Sequence, residues 1–156
     1  MKWRQLLVLT AVRAVAHGQT LEDILTSQAA TLSTLNSWLL SEQLIFDIMS
    51  NAQGITLLAP SNNAISQLYN TALATQLATD PNLLTAFLSY HVLNGVYQMS
   101  DFTSNRLGSV PTFMNMAGYS NVSGGQTIET LSDKGAVTFV TGNGAETNVE
   151  TYVRGV

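Results

Sequence analysis

The chain is expected to fold as one α+β domain, with helices first and a mostly antiparallel sheet after them. Three observations carry this expectation. Apolar residues recur at helical spacing up to about residue 91, and short strand-like runs between glycine-rich turns follow. The length, 156 residues, is one domain's worth of chain. Helices in one half and strands in the other suit helices covering one face or end of an antiparallel sheet.

Residues 1–18 read as a secretory signal. Lys2 and Arg4 give a positive start, and Leu6-Leu7-Val8-Leu9-Thr10-Ala11-Val12 supplies the apolar run. Ala14-Val15-Ala16 or Ala16-His17-Gly18 then offers the small residues that cleavage needs, so secreted material should begin at His17 or Gln19. The apolar run is well short of the ~20 residues that cross a bilayer, and no later segment reaches that length, so no transmembrane segment is expected. Residues 19–156 are then one domain.

Thr20 is placed to cap a helix, with Asp23 three residues on and Leu21, Ile24, Leu25, Ala29 and Leu32 along one face. Leu35, Trp38 and Leu39 continue a helical stripe. Leu44, Ile45, Ile48 and Met49 make another, which ends before residues 51–54. Residues 55–59, bounded by Gly54 and Pro60, read as a short buried strand. Asp80-Pro81 marks a helix start, a capping carboxylate before a proline at the first helical position. Leu84, Phe87, Leu88 and His91 follow on one face. Runs at 110–114, 127–131, 136–141 and 148–153 read as strands, separated by turns such as Ser123-Gly124-Gly125 and Gly142-Asn143-Gly144.

Composition excludes several functions. Hydrophobic residues make up 46% and charged residues 10%, where about 25% charged is usual. That is the opposite of a disordered chain. Polarity comes instead from Ser, Thr, Asn and Gln, which suits a secreted surface. Beyond residue 18 only Arg106, Lys134 and Arg154 face ten acids, a balance of −7. No basic stripe is left to displace counterions from phosphates, so no nucleic acid is expected as a partner.

The chemistry-bearing residues are few. There is no cysteine, which removes thiolate metal sites, thiol nucleophiles and disulfides. Once residues 1–18 are gone the sole histidine is His91, too little for a histidine metal cluster. No Gly-x-Ser-x-Gly elbow, P-loop or dinucleotide fingerprint occurs. The expectation is a protein that is not an enzyme, with no metal and no cofactor. Asn121-Val122-Ser123 is the one acceptor sequence for N-glycosylation, which makes Asn121 the glycosylation candidate.

Two segments carry a resemblance. Ile55-Thr56-Leu57-Leu58-Ala59-Pro60-Ser61-Asn62-Asn63-Ala64-Ile65 resembles the first motif of the fasciclin-like domain: an apolar strand, Ala-Pro, a hydroxyl residue, polar residues, then Ala and a large apolar residue. About thirty residues on, Leu88-Ser89-Tyr90-His91-Val92-Leu93-Asn94-Gly95-Val96-Tyr97 is similar to the second, a Tyr-His pair followed by a strand. Leu21-Glu22-Asp23-Ile24-Leu25 and Leu44-Ile45-Phe46-Asp47-Ile48 fit the opening helices, and the texture is nearest to fungal secreted members. The family closes on a core strand of the pattern Asn-Gly, apolar, His, apolar, Ile, Asp. Here the last residues, Arg154-Gly155-Val156, match at best its opening. That strand is expected to be missing, leaving one edge of residues 55–59 unpaired.

The resemblance implies N-terminal helices on a mostly antiparallel β-sandwich or wedge. It implies a secreted, extracellular or cell-wall-associated adhesion domain that is not an enzyme. Its implied partners are extracellular matrix or cell-surface proteins, polysaccharide, or a second copy through homophilic contact. Tyr90 and His91 are the residues to which the family's adhesive role would transfer. The alternative is a secreted carrier of an apolar small molecule, such as a carotenoid or lipid, held in a cleft between helices and sheet. His91, at the end of an apolar helix face, also reads as a core residue bonded to backbone or a nearby hydroxyl.

Overall fold

The computed structural model describes residues 3–11, 20–52, 54–104, 108–120, 122–133, 136–141, 144 and 146–154. After strand β1 (Trp3–Ala11), three helices follow: α1 (Leu21–Ser27), α2 (Ala29–Ser41) and α3 (Gln43–Asn51). Thr20 and Asp23 close the first in a reciprocal capping box, the Asp23 amide donating to Thr20 Oγ1 at 3.1 Å and the Thr20 amide to Asp23 Oδ2 at 2.9 Å. Strand β2 (Ile55–Pro60) then enters the sheet, and α4 (Asn62–Ser66), α5 (Ala72–Thr79) and α6 (Pro81–Tyr90) pass outside it. The remainder is β3 (Val92–Asn94), α7 (Met99–Ser104), β4 (Ser109–Pro111), β5 (Thr127–Asp133), β6 (Ala136–Val140) and β7 (Glu146–Arg154).

The strands make one sheet in the order β3-β2-β1-β7-β6-β5-β4. Neighbours are antiparallel except β1 and β7, which run parallel. The two ends of the sheet then meet. Leu93 bridges to Thr112, and the Phe113 amide donates to the Val92 carbonyl at 2.8 Å. The sheet therefore folds back on itself into a wedge-shaped sandwich, which confirms the α+β expectation.

Strand β2 separates two cores, and its period of two sends successive side chains to opposite faces, which is why all but Thr56 are apolar. Ile55, Leu57 and Ala59 face the helices, among Leu25, Leu32, Leu35, Leu39, Ile45 and Leu88. Leu58 faces the other way, into the interior of the folded sheet, with Leu93, Phe102, Val110, Ile128, Val137 and Phe139. All six β2 residues are buried, the signature of a strand covered on both faces. Thr56 is the polar exception, and it is satisfied. Its hydroxyl donates to the Gly95 carbonyl and accepts from the Tyr97 amide, each at 2.9 Å.

The fold departs from the sequence reading at three places. The β2 edge expected to stand open is occupied: β1 pairs along it antiparallel from Leu6–Pro60 to Ala11–Ile55. Residues 3–11, read as part of a leader, are thus an interior strand of the chain carrying them. Helices α5 and α7 add to the expected set, because each buries one large residue, Leu77 and Phe102, rather than a stripe. The strand expected over 110–114 is shorter, since Pro111 removes a ladder donor and Thr112 turns the chain toward β3.

Candidate functional site

Tyr90 and His91 lie at the corner where α6 hands over to β3. The sequence builds that corner from both ends. Asp80 caps α6, its Oδ1 accepting from the Asn82 and Leu83 amides at 3.0 and 3.2 Å, while Oδ2 accepts from the Tyr119 hydroxyl at 3.0 Å. Burial and the neighbouring Asp80 carboxylate both push the Tyr119 phenol's pKa upward. At the other end the helix stops at His91, whose amide turns to the Leu88 carbonyl at 3.0 Å. The Phe87 carbonyl loses its usual i+4 donor by this, and His91 Nδ1 supplies one at 2.8 Å. A carbonyl only accepts, so Nδ1 carries the proton and Nε2 the lone pair.

Two ring contacts and one backbone bond fix the residue further. Its ring packs on Phe87 at 4.6 Å between centroids, the Tyr90 ring meets it edge-on at 6.2 Å, and the residue's own carbonyl accepts from the Leu58 amide at 2.7 Å. Both Tyr90 and His91 are half-buried. Desolvation lowers the His91 pKa below the ordinary imidazole value, against the opposing pull of the Phe87 carbonyl. The Tyr90 hydroxyl reaches the Thr127 carbonyl at 3.5 Å, the limit of hydrogen bonding. Chemically the pair is a corner brace: a neutral imidazole capping a helix, with one aromatic ring leaning on it.

A second feature was not legible as a site in the sequence. The ends of α2, α5 and α6 and the turn after α4 enclose a cleft of about 280 Å³, with Trp38, Glu42 and Tyr69 at its rim. Trp38 meets Phe87 edge-on at 6.0 Å, so an aromatic row of Trp38, Phe87, His91 and Tyr90 runs from the cleft to the corner. In the sequence Trp38 is one member of a helical stripe, and nothing local brings Tyr69 to it.

Among the described residues no three His, Cys, Asp or Glu side chains group as a metal site would need. Asn121 and both expected cleavage positions lie outside the described residues. No helix among the described residues is long and apolar enough to cross a membrane.

Comparison with known proteins agrees with this architecture. The family model described as "Fasciclin domain" matches residues 30–153. A "Fasciclin-like arabinogalactan protein" of Arthroderma benhamiae is 29% identical over 116 residues, covering 73% of this chain. The matched region spans 27% of that relative's length. Capped helices, a strand shared by two cores and a Tyr-His corner are thus found together with a family match over most of the sequence, and the chain belongs to the fasciclin domain family.

Proposed function

We propose that this protein is a secreted, non-enzymatic adhesion domain that acts outside the cell or at the cell wall. Its partners in this reading are matrix proteins, cell-surface proteins, polysaccharide or a second copy of itself. The observation that carries the reading is the fasciclin match over residues 30–153, a family often associated with adhesion. Residues 1–18 direct export in this reading, and Asn121 carries a glycan.

Tyr90 and His91 serve adhesion in different ways. His91 holds the α6–β3 corner in shape through the Phe87 carbonyl and the Leu58 amide. Tyr90 is half-buried, with a hydroxyl at the limit of its bond to Thr127, and is the member that meets a partner. The carrier alternative is less well supported. A cleft of about 280 Å³ set among three helices, rather than between helices and sheet, is small for a long apolar ligand, since ligand pockets run to about 300–1,000 Å³.

The test is a plate coated with the secreted protein. Retention of cells or matrix by a colourless protein is the expected result. A visible absorption band with extractable pigment, and no retention, would replace adhesion by carriage.

A further inference from the structure

We infer that the cleft between α2, α5 and α6 binds a neutral hexopyranose unit of a polysaccharide. This rests on the adhesion reading and gives it a chemical contact point. A sugar ring presents two kinds of surface: a face of C–H groups that stacks on aromatic rings, and a belt of hydroxyls that both donate and accept. The cleft is built in the same two parts. Trp38 is half-buried and its plane is held by the edge-on contact with Phe87, while Tyr69 lines the same cleft and stands 63% exposed. Leu77 and Leu84 close the floor.

The polar partners complete the match. Glu42 is half-buried, and its Oε2 accepts from the Thr85 hydroxyl at 3.0 Å, which fixes the carboxylate's orientation. A carboxylate has about four acceptor sites, so one such bond leaves capacity for sugar hydroxyls. The Trp38 indole N–H has no acceptor among the described residues and offers a donor beside it.

Size and charge narrow the class. About 280 Å³ suits one small ring rather than a long chain enclosed along its length. Glu42, in the lining of the cleft, would repel a second carboxylate or a sulfate. A neutral sugar is therefore favoured over a uronic acid.

The chain has two tryptophans, Trp3 and Trp38. In the full chain carrying Trp3→Phe, emission reports on the cleft alone. Titration with laminaritriose and with chitotriose should give a saturable change for at least one. Tyr69→Ala and Glu42→Gln should each weaken it about five- to tenfold, the scale of one lost aromatic contact or charge-assisted bond. Circular dichroism should stay unchanged, because Tyr69 is exposed and the side-chain carbonyl introduced by Glu42→Gln can still accept from Thr85. Absence of saturable binding to either saccharide would overturn the proposal, as would binding intact in both variants. Equal binding of trigalacturonate would overturn the neutral class, and a response to carotenoid but not to saccharide would overturn the sugar assignment. A chain that retains cells while binding no sugar would sink this inference and leave the adhesion reading standing.

Discussion

His91 reads two ways in the sequence, and the difference can be measured at a single side chain. Its imidazole is held neutral by desolvation, so the unfolded chain takes up the proton more readily than the folded one. Stability is then fully present above the unfolded value near 6.5 and is lost as the pH falls below it toward the lowered folded value. The expected outcome is a denaturant midpoint that drops between pH 7 and pH 5, by less in His91→Gln than in the unaltered chain. An equal drop in both would assign the pH dependence to the carboxylates. His91→Ala removes the donor to the Phe87 carbonyl and should cost about 1–3 kcal/mol. A variant with an unchanged midpoint that no longer retained cells would make His91 a contact residue rather than a brace. Gly95 is a second residue whose identity is fixed by geometry. Its φ of +146° disfavours any L side chain, and a Cβ there would sit 2.8 Å from the Tyr97 ring. Gly95→Ala should therefore lower the thermal midpoint, by about 1–3 kcal/mol of stability.

Helix α6 is the element on which the corner depends, and both of its ends are specified locally. Asp80 satisfies two amides at its start and the Tyr119 hydroxyl as well. Asp80→Ala should cost about 1–2 kcal/mol, roughly 2–4 °C in thermal midpoint per kcal/mol for a chain of this size. Tyr119→Phe, which removes only one of these bonds, should cost less. A smaller effect for Asp80→Ala than for Tyr119→Phe would mean that the cap is dispensable. Elements with such local signals were legible in the sequence: the Thr20–Asp23 box, the Asp80-Pro81 start, and the apolar run ending at Pro60. Helix α7 was not, because its one fully buried large residue, Phe102, packs on Phe139, a contact that no periodicity announces. The cleft was hidden for the same reason. Trp38 and Tyr69 line one cleft only because three helices converge, and convergence is a property of packing rather than of spacing. The Tyr-His corner was legible as a motif, but its bonding was not: the Phe87 carbonyl needs a side-chain donor only because the His91 amide turns to Leu88.

At the scale of the molecule, strand β1 sets two readings of the same residues against each other. Residues 3–11 have the charge and apolar run of a leader. In the chain that carries them they lie between β2 and β7, pairing antiparallel with one and parallel with the other. Both roles cannot persist in one molecule, since cleavage at His17 or Gln19 would remove the strand. Its loss would open two ladders at once, the β2 side from Ile55 to Pro60 and the facing side of β7. It would also uncover a strand whose side chains are buried in two cores. Unpaired backbone groups in such a slot are costly, and an apolar edge of this kind recruits another strand. Protein beginning at residue 19 should therefore show a lower denaturant midpoint than residues 1–156 and elute as oligomers in size-exclusion chromatography. A synthetic peptide of residues 3–11 added during refolding should restore both the midpoint and the monomer peak. Equal midpoints and a clean monomer without peptide would mean that β1 contributes nothing to the fold. Mass spectrometry of exported protein identifies the form made by the cell: a start at His17 or Gln19 marks β1 as transient, and retention of residues 3–11 rules out the leader.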